Sequence, residues 1–126
     1  MNSILIKSAR NFGLDEELLK IWTEKLLKKY KLDNCELSLF FVGPEKIRVL
    51  NRQYRNLDEP TSVLTFFQGQ VYPEFNRGTP EKILLLGDIV ICPLVAKKRN
   101  LSIKFLIEHG IRNLLSEIPP TKSLRT

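Results

Sequence analysis

The most strongly apolar segment of the chain, ILLLGDIVIC at Ile83–Cys92, is the feature that most constrains the fold. A short apolar run of this kind predicts a β-strand that is buried on both of its faces. Gly87 and Asp88 interrupt the run, and a carboxylate in such surroundings needs a partner. Two interpretations of Asp88 stay open, because its side chain either bonds a neighbouring backbone group or faces a cleft.

Periodicity in the rest of the chain predicts further strands and helices. Strands are expected at Ser3–Ser8, Cys35–Val42 and Val63–Phe67, and helices are expected to begin near Asp15, Pro44, Pro93 and Ser102. At 126 residues the chain fits a single domain, residues 1–126. We therefore predict an α/β (α+β) fold in which a mixed sheet of about four strands carries helices.

Three segments carry narrower expectations. The first helix is expected to bury a stripe at fourfold spacing, formed by Leu18, Trp22, Leu26 and Tyr30. Residues 68–82 are rich in glycine and proline, which favours a loop that acts as a lid or flap. Pro119 and Pro120 are expected to end the last helix and to leave a frayed polar tail.

The stretch LNRQYRNLDEPTSVLTF, at Leu50–Phe66, predicts a helix that gives way to a strand at Pro60. Spacings of i, i+4 and i+7 predict one apolar helix face, formed by Leu50, Tyr54 and Leu57. Arg52 and Arg55 lie off that face, so their side chains point at solvent or at a cleft.

Two roles are open for these arginines. An arginine beside a sheet edge can recognise a carboxylate or a phosphate through its planar fork of donors. Alternatively, an arginine here pairs with Asp58 or Glu59 in an exposed ion pair that stabilises little. Thr61 follows at the entry to the strand and is a candidate supporting residue of the same cleft.

The net charge of +6 suits a polyanionic partner such as RNA or DNA. Lys97, Lys98 and Arg99 are either a patch that contacts phosphates or an exposed helix end. Cys35 and Cys92 lie far apart without a CxxC spacing, so we expect buried free thiols. The sequence shows neither the apolar core of a signal peptide nor a run long enough to span a membrane, and we expect a cytoplasmic protein.

Three segments in this order, LNRQYRNLDEPTSVLTF, LLGDIVIC and FLIEHGIRNLL, resemble the YbeY family of metal-dependent endoribonucleases. In that family the first segment places an arginine in the active cleft, and Arg55 occupies that position. The second supplies a central strand, which contains Asp88 here. The third is a helix that reads HGxLHLxGxDH and binds zinc through three histidines, the first of which matches His109.

The resemblance implies a single-strand-specific endoribonuclease that acts in ribosomal RNA maturation and ribosome quality control. Zinc is the implied cofactor, activating a water near the scissile phosphate while Arg55 neutralises charge on the phosphate oxygens. RNA is the implied partner, together with ribosomal proteins. Sequence-independent contacts to the RNA backbone are expected from Arg52, Lys97, Lys98 and Arg99.

The third segment departs from the family pattern. Aligning HGIRNLLSEIP with HGxLHLxGxDH puts Asn113 at the second histidine, Ser116 at the glycine and Pro119 at the third histidine. The helix that the family carries beyond this motif is replaced by a few polar residues. Since residues at i, i+4 and i+8 share a helix face, His109, Asn113 and Glu117 are candidates to hold a harder ion such as magnesium or manganese. The alternative is a structural His109, its ring bonded to a backbone carbonyl or to Asp88.

Three functions therefore stay open on the sequence alone. One is the metal-dependent endoribonuclease, and the second is an RNA- or ribosome-binding module that uses the same basic cleft without chemistry. The third is a truncated product of low stability with no function of its own. The departure fits either drift away from metal binding or a reading frame that shifts after Leu115.

Overall fold

The computed structural model describes the backbone of residues 1–76 and 79–118 and the side chains of residues 1–71 and 82–118. Its elements in chain order are β1 (Ser3–Ser8), α1 (Glu16–Lys29), β2 (Cys35–Phe41), α2 (Pro44–Arg55), β3 (Val63–Asn76), β4 (Thr79–Ile91), α3 (Pro93–Lys98) and α4 (Ile103–Ser116). Local signals set several of the helix starts. The carboxylate of Asp15 accepts a hydrogen bond from the backbone N–H of Leu18, and the hydroxyl of Ser102 accepts one from Phe105.

The strands form one mixed sheet in the order β1-β2-β4-β3. β2 pairs in parallel with β1 and β4, whereas β3 runs antiparallel to β4. β4, which holds most of the apolar segment, therefore lies between two hydrogen-bonded neighbours. The prediction of a mixed four-stranded α/β fold is confirmed.

Both faces of the sheet are covered, because alternate side chains of β4 enter two different apolar clusters. Ile89 and Ile91 pack in the larger cluster, with buried residues of α1 and α4. Val90 packs in the smaller cluster, with Ile47 of α2 and Val95 of α3. Cys35 and Cys92 are buried free thiols, as predicted. Burial raises the pKa of the Cys35 thiol to about 12.

The prediction of a loop over residues 68–82 is wrong. The backbone described there belongs to β3 and β4, which pair from Val63↔Ile91 out to Asn76↔Thr79. Gly69 has a φ of +67°, and the register shifts between Phe67 and Gln70. The glycine thus permits a β-bulge within a continuing strand, where a turn was expected.

The buried face of α1 also differs from the predicted stripe. Leu26 is buried as expected, but Leu18 is 41% exposed, and the other buried residues of the helix are Leu19, Thr23 and Leu27. Trp22 is partly buried against the core, with Nζ of Lys104 4.7 Å from the centroid of its ring. The helix is rotated by about one residue from the expected orientation, since a one-residue step turns an α-helix by about 100°.

The longest helices in the described part of the chain, α1 and α4, have 14 residues each. None of the helices described there combines the length and the apolar character that a membrane span requires. α4 ends at Ser116, with Glu117 as its C-cap. The predicted stop at Pro119 and Pro120 and the frayed tail lie outside the described residues.

Candidate functional site

A cleft of about 730 Å³ opens between α4 and the junction of α2 with β3. Its lining brings together several predicted site residues from distant parts of the chain: Arg55, Thr61, His109, Asn113 and Glu117. Residues Val63–Phe67 of β3 line it as well, and so does Tyr54 of α2. One space therefore combines a guanidinium, an imidazole, an amide, a carboxylate and aromatic rings.

The junction between α2 and β3 is shaped by backbone conformation and by one buried side chain. α2 ends at Asn56, which adopts the left-handed conformation with a φ of +58°. Asn51, only 1% exposed, donates a hydrogen bond from Nδ2 to the backbone carbonyl of Glu59 at 2.9 Å. The bond ties the turn before Thr61 to the helix, and so holds one wall of the cleft.

The sequence analysis did not predict Asn51 as a buried residue of α2, because only charged and apolar residues of that helix were considered. The buried residues of this helix are Ile47 and Asn51, which are spaced i and i+4. The predicted apolar face of Leu50, Tyr54 and Leu57 is wrong as a buried face, since Tyr54 is 66% and Leu57 is 41% exposed. Because Asn51 lies four residues after Ile47, the two side chains share one helix face, and this spacing is the signal that could have located the buried face.

The arginines of α2 divide into two groups. Arg48 binds Asp58 through two hydrogen bonds, from Nε at 2.9 Å and from Nη2 at 3.3 Å, and these lower the pKa of Asp58. Nη1 of Arg52 lies 3.9 Å from the same carboxylate. Arg55 lines the cleft and forms no ion pair among the described residues. The exposed ion pair foreseen for this stretch therefore involves Arg48 and Arg52, while the guanidinium of Arg55 is available to a ligand.

The second wall of the cleft is one face of α4. The opposite face of the helix is buried in the larger core cluster through Leu106, Ile107, Gly110, Ile111 and Leu114. A Cβ atom at Gly110 would lie 2.7 Å from Cδ1 of Ile89, so the glycine lets α4 approach β4 closely. This packing turns His109, Asn113 and Glu117 towards the cleft.

α4 is also held against α1 by Glu108. Its carboxylate accepts hydrogen bonds from Nζ of Lys29 and from the hydroxyl of Tyr30, both at 2.8 Å. The bond from Lys29 lowers the pKa of Glu108, and the bonds to Glu108 raise the pKa values of Lys29 and Tyr30. Glu108 thus orients the helix turn that carries His109.

His109 is exposed, and it contacts residues on its own helix. Its Nε2 atom lies 3.3 Å from Nδ2 of Asn113, and its ring stacks on Phe105 with centroids 6.1 Å apart. Since the amide nitrogen of Asn113 carries only donors, Nε2 is the acceptor and the neutral ring carries its proton on Nδ1. The carboxylate of Asp88 instead accepts a hydrogen bond from Gln68 at 3.2 Å.

With the cleft defined, comparison with known proteins gives a consistent result. Residues 6–115 match the family model described as Endoribonuclease YbeY. The chain belongs to the YbeY family. A curated YbeY endoribonuclease from Aquifex aeolicus is 34% identical over 122 residues, covering 90% of this chain and 75% of that protein. The one from Persephonella marina is 34% identical over 125 residues, covering 91% of this chain and 77% of the relative.

A solved structure shares the fold. The solution structure of TM1509 from Thermotoga maritima superposes with a TM-score of 0.50 at 27% sequence identity, covering 88% of this chain and 71% of that chain. The named relatives of this YbeY chain are endoribonucleases.

The donor set in the cleft can be compared with the zinc that YbeY resemblance implies. A hydrolytic zinc takes about three protein ligands drawn from imidazole, thiolate and carboxylate groups. Within the described residues, no group of three or more His, Cys, Asp or Glu side chains is placed to hold a metal ion. The row on α4 offers one imidazole, one neutral amide and one carboxylate, and the amide of Asn113 bonds the imidazole nitrogen itself. This donor set does not fit a hydrolytic zinc.

Several predicted site residues lie elsewhere. Lys97 and Lys98 form the last turn of α3, with Arg99 as its C-cap, and none of the three lines the cleft. Arg52 and Asp88 are not among its lining residues either. The cleft therefore holds part of the predicted basic surface, through Arg55, while the exposed cations of α3 form a separate patch.

Proposed function

We propose that this chain acts on single-stranded RNA as an endoribonuclease, in the maturation of ribosomal RNA and in ribosome quality control. The observation that carries the proposal is the cleft in which α2 presents Arg55 and α4 presents His109. Membership of a family whose named relatives are endoribonucleases supports the reaction class. The net charge of +6 supports a polyanionic substrate.

Arg55 binds the RNA backbone in this proposal. A guanidinium presents a rigid fork of donors that matches two phosphate oxygens, and it stays protonated at any physiological pH. Because Arg48 and Arg52 lie beside Asp58, Arg55 is the arginine of α2 whose charge is directed at the cleft. When negative charge develops on the phosphate oxygens during cleavage, the same guanidinium stabilises it.

His109 places an imidazole in the cleft, and imidazoles are the side chains that enzymes most often use for general acid–base catalysis. With Nε2 accepting from Asn113, the neutral ring presents Nδ1–H as a donor. A neutral imidazole takes a proton only through a free lone pair, so His109 acts as a base towards the attacking oxygen once Nε2 separates from Asn113. While that hydrogen bond is intact, Nδ1–H donates a hydrogen bond to a phosphate oxygen. The donor set of His109, Asn113 and Glu117 does not fit a hydrolytic zinc, so this proposal relies on the side chains of Arg55 and His109.

A second candidate function is favoured by that same donor set. A chain that keeps the cleft with Arg55 but lacks a zinc-binding triad binds single-stranded RNA without cutting it in this second proposal. Phosphate contacts from Arg55 and from the patch at Lys97, Lys98 and Arg99 are sufficient for such binding, since they require no metal. The two candidates share their substrate and differ only in the chemistry.

The experiment that separates them uses one fluorescently labelled single-stranded RNA and four proteins. Binding is followed by fluorescence anisotropy and cleavage by gel electrophoresis, with and without chelator, and with added zinc or manganese. The proteins are the wild type, Arg55→Ala, His109→Ala and Lys25→Ala, the last being a control because Lys25 is exposed on α1 away from the cleft.

Each outcome has a defined meaning. Cleavage that is lost in His109→Ala and retained in Lys25→Ala supports the endoribonuclease, and sensitivity to chelator adds metal dependence. Binding that weakens in Arg55→Ala, with no cleavage by any protein under any condition, supports the binding module. If the wild type neither binds nor cleaves the RNA, both functions are rejected.

A further inference from the structure

We propose that Tyr54 and Phe66 form a stacking platform for an unpaired nucleobase of the RNA, at the edge of the cleft that contains Arg55. This inference rests on the proposed RNA-binding function and adds how an unpaired strand is selected. Both rings line the cleft, one from α2 and the other from β3. The platform is a binding subsite, distinct from the residues assigned to phosphate binding and proton transfer.

The exposure of Tyr54 is the first argument. A tyrosine normally contributes a large apolar area to a core, yet the side chain of Tyr54 is 66% exposed. The buried residues of α2 are Ile47 and Asn51, so Tyr54 meets the sheet through the contact of its ring with Phe66 and is not part of the buried face of the helix. An exposed aromatic residue in a cleft is a feature of ligand-binding surfaces.

The ring of Tyr54 is also held in place by a neighbouring aromatic ring. Its centroid lies 5.0 Å from that of Phe66, with an angle of 74° between the ring planes. This edge-to-face contact restricts the orientation of Tyr54 while leaving most of its surface accessible. Because the ring is already ordered, a base that stacks on it does not have to restrict a freely rotating side chain.

Charge provides the third argument. Tyr54 and Arg55 are consecutive on α2, and both side chains line the same cleft. A nucleotide joins a negative phosphate to an apolar base, so a cation beside an aromatic ring matches both parts. Proteins that bind single strands combine these two elements, with basic side chains along the backbone and aromatic rings under the bases.

A second ring contact lies on α4, where His109 lines the cleft and stacks on Phe105, which is not a lining residue. Phe105 is 55% exposed and stacks on His109, with 15° between the ring planes. Trp22 differs, since its ring packs partly against the core with Lys104 over it. Among the side chains that the structure describes, the exposed aromatic rings of Phe, Tyr and Trp residues are those of Tyr54, which lines the cleft, and Phe105, which stacks on the cleft residue His109.

Stacking on Tyr54 has a consequence for substrate choice. In a duplex, both faces of each base are covered by neighbouring bases, so an aromatic side chain has no face to contact. An unpaired base offers its face without the cost of unstacking a helix. The platform therefore favours single-stranded over double-stranded RNA, independently of any contact to phosphates.

The test measures binding of a short single-stranded RNA to the wild type, Tyr54→Ala, Tyr54→Phe and Leu94→Ala. Leu94 is a matched control, since it is 46% exposed on α3 and does not line the cleft. Loss of one stacked base weakens binding by about five- to hundred-fold, so Tyr54→Ala is expected to fall in that range. Tyr54→Phe keeps the ring and is expected to bind within about twofold of the wild type.

A second RNA of the same length, with abasic sites in place of bases, separates stacking from charge. Tyr54→Ala is expected to bind this abasic RNA as well as the wild type does, and to keep the salt dependence of the wild type. Arg55→Ala, in contrast, is expected to bind both RNAs more weakly. Thermal unfolding of each variant confirms that the fold is intact.

The outcomes distinguish the inference from the function on which it rests. If the wild type binds single-stranded RNA and Tyr54→Ala binds it equally well, the platform is wrong and the proposed function stands. Tyr54→Ala could instead lose as much affinity for the abasic RNA as for the RNA with bases. Tyr54 would then not bind RNA by stacking on a base, and the inference is also overturned. If the wild type binds no RNA, both are overturned.

Discussion

Nε2 of His109 lies 3.3 Å from the side-chain amide nitrogen of Asn113, one helical turn further along α4. In this arrangement the amide donates to the lone pair that an imidazole would otherwise offer to a metal ion. The resemblance of the third segment to the family motif aligns Asn113 with the second of the histidines that it implies as zinc ligands. The pair therefore replaces two potential metal ligands by a hydrogen bond within the helix.

Asn113→Ala and Asn113→His test this replacement. Histidines at i and i+4 share a helix face and can bind one zinc together. Removing a residue that only hydrogen-bonds a metal ligand changes metal affinity by about 10–100-fold. The direct ligand gained in Asn113→His should therefore raise the zinc affinity by at least about tenfold. Zinc affinity is measured by competition with a chelating dye, and metal content by elemental analysis after dialysis.

Asn113→Ala is the control in this experiment, because it breaks the hydrogen bond without adding a ligand. Its zinc affinity should stay near that of the wild type and well below that of Asn113→His. Stoichiometric zinc, magnesium or manganese in the wild type, lost on His109→Ala, would show that the present donor set binds metal and would contradict our interpretation.

Replacement of Arg55 should weaken RNA binding through the loss of one phosphate contact. The slope of the logarithm of the binding constant against the logarithm of salt concentration should fall in magnitude by about 1 for Arg55→Ala. Arg48→Ala, on the same helix, removes a guanidinium that already binds Asp58, and should leave the slope close to that of the wild type. Equal slopes for wild type and Arg55→Ala would remove Arg55 from the binding site.

Local signals account for what the sequence predicted well. Asp15 and Ser102 each cap a helix through a hydrogen bond that spans three residues, so the evidence for the cap is contained in a few neighbouring letters. The apolar run of β4 likewise indicates burial by itself. Arg55 and His109 were identified through the family motif, and the fold brings them to one cleft.

Long-range pairing accounts for what the sequence did not predict. Gly69 and Pro73 favour a turn locally, yet the backbone there continues as β3 because it pairs with β4. The buried face of α2 is likewise set by the cluster that Ile47 joins, which includes side chains of the sheet and of α3. Neither the partner strand nor that cluster can be read from the residues of the segment alone.

Gly110 should be intolerant of a side chain. A Cβ atom would lie 2.7–3.0 Å from the side-chain carbons of Ile89, which is fully buried and cannot move away freely. Overpacking of a core costs about 1–3 kcal/mol, which the better helix propensity of alanine offsets by up to about 1 kcal/mol. We expect Gly110→Ala to lower the free energy of unfolding by about 1 kcal/mol, as measured by urea titration.

The double variant Gly110→Ala, Ile89→Val supplies the control, because valine lacks Cδ1, the nearest of the three Ile89 atoms that the new Cβ would meet, and so relieves part of the clash. Ile89→Val alone should cost about 0.5–1.5 kcal/mol. If the clash is the cause, the double variant should lose less stability than the sum of the two single variants. Strict additivity would show that Gly110 is needed for another reason.

Glu108 should make part of the stability depend on acid pH. Its pKa is lowered by hydrogen bonds from Lys29 and Tyr30, so the folded state favours the ionised carboxylate. Stabilisation from such a group is complete above its unfolded pKa, near 4.3, and disappears as pH falls through the lower folded value. The wild type should therefore lose more free energy of unfolding between about pH 6 and about pH 3 than Glu108→Gln does.

Urea titrations of both proteins across this pH range check the prediction. Glu117→Gln is a matched control, since Glu117 is an exposed carboxylate at the end of the same helix. This control should follow the pH dependence of the wild type. Parallel curves for the wild type and Glu108→Gln would mean that the contact between α1 and α4 contributes nothing to stability, and that the position of His109 depends on core packing alone.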